Sequence, residues 1–199
     1  MLPARALLVA AVLATATAGH AQAPAPRSLA GRLLVATDAM NDTRFERAVI
    51  YLVRHDVHGA FGLVVNLPRG EVSFERALRP LGLDVPPGSG NVRVYWGGPV
   101  SERRGFVLHT PDWSGEGTEV VADGFALTED PRVLQAMAQG AGPKRALFCL
   151  GYAGWAPGQL DREMTTGAWA VALASERLVF EEDPPQKWID AMSRRLLDL

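Results

Sequence analysis

One cysteine, Cys149, is all that the 199 residues contain, so no disulfide can form within the chain. It lies in the apolar run Ala146–Leu150, where a buried strand thiol is the expected reading. Histidine is scarce too, with four in all. His55 and His58 would supply only two ligands of a tetrahedral site, with no third nearby in sequence, so no metal is expected. Neither sign of charge dominates: 20 basic and 22 acidic residues give a net charge of -2. Spread along the chain as they are, these charges offer no electrostatic reason for nucleic-acid or anionic-membrane binding. No apolar run reaches the roughly 20 residues of a permanent membrane span. Phosphate-binding loops are missing as well. Gly97-Gly98-Pro99-Val100 lacks the downstream lysine and hydroxyl of one such loop and the three-glycine spacing of the other, and reads as a tight turn between strands. Ser114, in Trp113-Ser114-Gly115-Glu116-Gly117, is not in a nucleophile-elbow setting. No cofactor is expected.

What is present begins with a hydrophobic content of 48%, enough for a globular core. A chain of this length buries roughly 70% of its unfolded surface without needing a staple. The first residues stand apart. Arg5 precedes the apolar, small-residue run Ala6–Ala18, and Gly19-His20-Ala21-Gln22-Ala23 follows. That is the three-part layout of a secretory signal peptide, covering residues 1–21 with cleavage after Ala21. The alternative cut, after Ala23, would place Pro24 directly behind the scissile bond, where its fixed φ suits an extended substrate badly. Residues 22–28 read as a linker and 29–199 as one domain, in the periplasm or secreted. The competing reading is a misassigned start. No methionine lies between Met1 and Met40, however, and starting at Met40 would delete the strand Leu33-Leu34-Val35.

Along the domain, Leu33–Thr37, Ala48–Val53 and Ala60–Asn66 read as strands, the last two forming a hairpin around Asp56-Val57-His58-Gly59. Ser73 caps a short helix, Phe74–Leu81, ended by Gly82. Val92–Trp96, Gly105–Thr110, Thr118–Ala122, Phe125–Leu127 and Arg145–Leu150 are further strands. Thr128 is placed to cap a helix over Glu129–Gln139. Trp169–Leu173 and Leu178–Phe180 read as late strands, and Pro184 opens a final helix with Trp188, Met192 and Leu196 at spacing four. Hairpins outnumber strand-helix-strand units. The expected class is therefore α+β: one domain with a largely antiparallel, curved sheet and packed helices.

The densest passage is Gly151-Tyr152-Ala153-Gly154-Trp155, continuing to Gly158-Gln159-Leu160-Asp161-Arg162-Glu163. It reads as a strand leaving the core, turning at glycines and entering a helix. The passage resembles the hallmark of the YqgE/AlgH family. Other segments match that family in order: Gly31–Ala36, Met40, Asp42, Phe45, Arg47–Leu52, His55, Gly59–Asn66 with Pro68, Gly97–Val100, Arg104–His109, Leu127-Thr128, Gly142-Pro143, Trp169 and Trp188. The chain departs from the pattern at Leu67, where the family usually has a basic residue. Asp161 stands in place of glutamate, and Gly167 near where asparagine is frequent. The leader is a further departure, since members usually look cytosolic. The resemblance implies a compact α+β fold of bent, branching (bifurcated) sheets. It supplies no established reaction, cofactor or catalytic residue.

Tyr152, Trp155, Gln159, Asp161 and Glu163 are the candidate binding residues, with His109 and Asn66 beside them. Tyr152 and Trp155 offer flat apolar faces with one polar handle each, which suits recognition of a protein or peptide. The competing account has the glycines serving backbone conformation, the aromatics filling core and the carboxylates capping a helix. An exported, non-enzymatic binding protein is the leading expectation. The alternative from another class is a hydrolase or lyase-like enzyme with His109 as base and Glu163 as its orienting partner in one cleft. A transcriptional regulator follows only from the AlgH name.

Overall fold

The computed structural model describes residues 28–122 and 124–196. The expected leader and its cleavage points, and residues 22–27 of the expected linker, lie outside them. Among the described residues, ten strands and four α-helices make up one α+β domain. The strands are β1 (Arg32–Ala36), β2 (Val49–Asp56), β3 (Gly59–Val64), β4 (Pro68–Ser73), β5 (Asn91–Trp96), β6 (Val100–His109), β7 (Thr118–Ala122), β8 (Phe125–Thr128), β9 (Ala146–Trp155) and β10 (Trp169–Leu173). The helices are α1 (Phe74–Leu78), α2 (Arg132–Ala138), α3 (Gln159–Thr165) and α4 (Pro184–Ser193).

The sheet runs β10-β1-β2-β3-β9-β6-β8-β7, and β5, carrying β4, joins β9 as a branch. All pairings are antiparallel except β5 with β9. The branch is built on one ten-residue strand. Along one edge of β9, Phe148–Leu150 pair with β5 and Ala153–Trp155 pair with β3. Its other edge is taken by β6.

Glycine makes that branching possible. Trp96 pairs with Leu150 on one edge of β9, while Val100 pairs with Tyr152 on the other. Gly97-Gly98-Pro99 therefore crosses over β9 at Gly151, and is not the tight turn between paired strands that its sequence suggests. A side-chain carbon on Gly97 would lie 2.2 Å from the Gly151 carbonyl oxygen, and one on Gly98 2.2 Å from the Tyr152 carbonyl carbon. Gly98 and Gly151 also sit at φ 149 and 73, in the region that favours glycine. Past the crossover, the Val64 N–H donates to the Gly97 carbonyl at 2.9 Å, which brings β3 onto the edge that β5 has left.

The apolar runs of the central strands are buried on both faces. Leu33, Val35, Tyr51, Leu63, Phe106, Leu108 and Cys149 share one core with Leu178 and Ala191. Leu34, Ile50, Val64, Trp155 and Trp169 share another with Leu160 of α3. A third cluster joins Leu78 and Leu134, of α1 and α2, to Val107 and Phe148.

Four local readings are corrected. Pro68 starts β4, a strand the sequence reading leaves out because Arg69-Gly70-Glu71 conceals it, and as the first residue of that strand its missing N–H is tolerated. Thr128 ends β8 instead of capping a helix, and α2 starts only at Arg132, with Asp130 Oδ1 accepting from its N–H at 2.9 Å. Leu178–Phe180 belongs to a π-helical segment, Arg177–Glu181, packed on the first core. Finally, β9 does not stop at Leu150. It runs on through Trp155, and the turn comes at Ala156-Pro157-Gly158.

Candidate functional site

Continuation of β9 past its kinked glycine decides where the hallmark side chains go. Tyr152 packs in the first core, its ring 4.9 Å from Phe61 and 5.8 Å from Phe106. Trp155, three positions on, belongs to the opposite cluster with Trp169, as the two-residue period of a strand requires. The two aromatics read together from the sequence thus contribute mainly to different faces of the sheet.

Trp155 anchors a polar network. Its Nε1 donates to Glu163 Oε2 at 2.8 Å, and Trp169 Nε1 donates to the same oxygen at 2.9 Å. Gln159 Nε2 donates to Glu163 Oε1 at 2.9 Å, and Gln159 Oε1 accepts from the Ala156 N–H at 3.1 Å. Residues 159 and 163 are one helical turn apart on α3, so both reach the end of β9. The carboxylate gives both buried indoles their partner, as buried donors require.

Around this network lies a cleft of about 530 Å³ lined by Trp155, Trp169, Phe45, Met40, Pro99 and Val100, among others. Phe45 stands 5.7 Å from Trp169 and 5.7 Å from Trp96, and Trp155 meets Trp169 edge-on at 6.1 Å. Asp42 and Arg44 form an exposed ion pair on the rim. That pair holds the Asp42 carboxyl below the usual carboxylate range, through the Arg44 hydrogen bond first. Phe45, Trp169, Pro99 and Val100 were not singled out as site residues from the sequence, because only the folded chain brings these separate segments together.

The remaining candidates lie elsewhere. Asp161 sits on α3 with its carboxylate 3.6 Å from His55 Nε2, while His55 Nδ1 accepts from the Leu29 N–H at 3.2 Å. Asn66 is buried and ties two segments: its Oδ1 accepts from the Val49 N–H at 2.8 Å, and its Nδ2 donates to the Arg47 carbonyl at 2.8 Å. His58 is exposed in the β2–β3 turn. Among the described residues, no three His, Cys, Asp or Glu side chains converge to hold a metal.

His109 is fully buried at the end of β6. Its Nδ1 lies 2.8 Å from the Thr110 carbonyl and must donate there, because a carbonyl only accepts. Nε2 then accepts from the Thr128 hydroxyl at 2.9 Å. Thr128 Oγ1 in turn accepts from Thr118 at 2.8 Å, and Thr118 Oγ1 from the Gly115 N–H at 3.0 Å. Burial pushes the His109 pKa down, in keeping with this neutral tautomer. No lone pair is left for a general base. His109 pairs with Ala146, at the opposite end of β9 from Trp155 and its partner Glu163, roughly 30 Å along an extended strand. The structure does not bring His109 and Glu163 into one cleft.

Among the described residues, no helix is long and apolar enough to cross a membrane. Known proteins match most of the chain. The family model described as "DUF179: AlgH-like" covers residues 33–199. A UPF0301 protein of Rhodospirillum rubrum is 46% identical over 170 residues, 85% of this chain and 88% of that protein. One from Rhizorhabdus wittichii is 44% identical over 175 residues, 87% of this chain and 93% of its own. The solution structure of the AlgH protein from Pseudomonas aeruginosa superposes with a TM-score of 0.74 at 36% identity, covering 89% of this chain and 94% of that one. A Corynebacterium diphtheriae protein, DIP2367, shares the fold at a TM-score of 0.64 and 24% identity, with 88% and 90% covered. With the branching sheet, the ordered motifs and these relatives in agreement, the chain belongs to the AlgH-like, or YqgE/AlgH, family.

Proposed function

We propose that this protein is a non-enzymatic binding protein, that its partner is a protein or peptide segment received in the Trp155–Trp169 cleft, and that it works outside the cytoplasm. The observation that carries the binding reading is convergence. Met40, Phe45, Pro99, Val100, Trp155, Gln159, Glu163 and Trp169 come from separate parts of the chain and line one cleft. Its volume falls in the range of about 300–1,000 Å³ used for ligand recognition. Aromatic side chains with hydrogen-bonded polar ends are already ordered there, so little conformational entropy is lost on binding.

Capture from an envelope extract, with residues 22–199 as bait, tests the cleft. Trp155→Ala removes the wall. Val100→Asp puts a charge at the mouth on a side chain that is already exposed. Proteins held by the parent bait are expected to fall at least tenfold in yield with either variant, with circular dichroism unchanged for Val100→Asp. Equal yields from all three baits would remove the cleft as the contact surface.

The location rests on Arg5, the run Ala6–Ala18 and the small residues after it. Placing charged residues at Leu8 and Val9 breaks the apolar run and is expected to trap the precursor in the cytosol, the domain still folded. Fractionation with N-terminal sequencing decides this: processed protein should begin at Gln22. Intact Met1-Leu2-Pro3 on a cytosolic parent protein would refute export.

A further inference from the structure

A second cleft, of about 540 Å³, lies between α1, α2 and the branch of the sheet, away from Trp155. Its floor is aliphatic and aromatic: Val94, Val107, Val133, Leu134, Phe148 and Leu150 all line it. Among the described residues, the one charged side chain of its lining without a partner, Arg103, is set there by an irregularity in β6. Between Val100 and Gly105 the pairing with β9 shifts register, and Ser101 takes a φ of 50, unusual for a residue with a side chain. The exposed bulge Ser101–Arg104 that results is the kind of feature that re-aims side chains.

Arg103 lines the cleft from this bulge, with no hydrogen bond or ion pair among the described residues. The other charges at the rim are satisfied. Arg104 is paired with Glu129, its Nε donating at 2.9 Å, and Arg132 holds Asp130. The hydroxyl of Thr128 in the lining is committed to His109 and Thr118. A peptide laid here would find little on the floor to pair with its backbone N–H and C=O groups, whose burial unpaired is costly. An alkyl chain has no such need.

We propose that this cleft binds a medium-chain fatty carboxylate, its tail on the apolar floor and its head on the Arg103 guanidinium. A guanidinium fork meets a carboxylate through two parallel N–H donors. Each methylene taken from water strengthens the tail contact. This site is separate from the Trp155 cleft, and its existence does not depend on the binding role assigned there.

Calorimetric titration of the full domain with hexanoate, octanoate, decanoate and decanol tests it. Affinity is expected to rise at least tenfold from hexanoate to decanoate, since each buried methylene contributes about two- to fourfold. Decanol should bind at least tenfold more weakly than decanoate. Arg103→Glu should weaken decanoate at least tenfold and erase its advantage over decanol. Ala77→Trp, at a half-buried lining position on α1, should fill the cleft and abolish binding. His58→Ala, in the exposed β2–β3 turn, should leave decanoate affinity unchanged. The proposal is overturned if decanoate shows no saturable binding at millimolar concentration. It is equally overturned if decanol matches decanoate and Arg103→Glu has no effect, or if Ala77→Trp binds like the parent.

Discussion

Gly98→Ala is expected to prevent the domain from folding. Two costs meet at this residue. Its φ of 149 lies where side-chain-bearing residues are strained. The added carbon would also lie 2.2–2.3 Å from three backbone atoms of Tyr152 and Ala153. Those atoms belong to β9, which carries β3, β5 and β6 and cannot yield without disturbing all of them. The loss should exceed about 4 kcal/mol, a large share of a domain's usual 5–15 kcal/mol. Gly140→Ala separates strain from collision. Gly140 also has a positive φ, 71, but its added carbon meets nothing within 4 Å. It should therefore cost only about 1 kcal/mol. Urea denaturation of the soluble fractions checks both. A Gly98→Ala protein as stable as Gly140→Ala would mean that the chain does not cross β9 as described.

Lys187 is the second position where a large effect is expected, and its size depends on pH. The side chain is 1% exposed, within the first core. Nζ donates to the Val65 carbonyl at 2.9 Å and the Val179 carbonyl at 2.6 Å, and lies 5.9 Å from the centre of the Tyr95 ring. Burial lowers its pKa to about 8, despite Cys149, Glu182 and Asp183 nearby, which favour the charged form. An unfolded chain holds that proton up to the ordinary lysine value of about 10.4. Between these values the unfolded state binds more protons, so stability rises with pH across the window. Held charged at pH 7, the group costs about 3 kcal/mol relative to a lysine with an ordinary pKa.

Cys149 acts in the opposite sense. Burial pushes its thiol up to about 12, so above the ordinary thiol value the unfolded state has released a proton that the folded state keeps, and stability falls. Burial raises the Tyr51 hydroxyl likewise. The melting temperature should therefore climb from pH 7.5 to about 9 and then level or fall. Cys149→Ala should extend the climb. Lys187→Met keeps the stem's packing without the charge and should flatten the climb. Lys187→Ala leaves a cavity and two carbonyls without their donor, a loss of about 2–4 kcal/mol that relief of the buried charge largely offsets at pH 7.5 and that emerges in full near pH 10. Identical pH profiles for the parent and Lys187→Met would show that this lysine is not the titrating group.

Lys187 also shows where reading from sequence stops. Nothing in Pro184-Pro185-Gln186-Lys187-Trp188 marks it out, because period alone cannot place a lysine against two carbonyls from distant segments. Trp155 and Glu163 were legible as candidate binding residues. Their hydrogen bond was not, since it needs β9 to run on past Gly151 and α3 to fold back along it. His109 looked like a base at a strand end, and only its contacts with Thr110 and Thr128 reveal that both nitrogens are occupied. The second cleft had no signature at all. Its floor comes from β5, β6, β9 and α2, each apolar for reasons of its own.

By itself the sequence determined the class of fold, its family and most strands, because alternation, β-branched runs and turn residues act between near neighbours. It also determined that Cys149 has no partner within the chain, and it shows glycine at 97, 98 and 151. Tertiary structure decided what those glycines are for, which faces Tyr152 and Trp155 take, and which side chains meet in each cleft. Those outcomes depend on contacts between residues dozens of positions apart. Such contacts follow from how β9 is shared among three other strands, and no local pattern encodes that sharing.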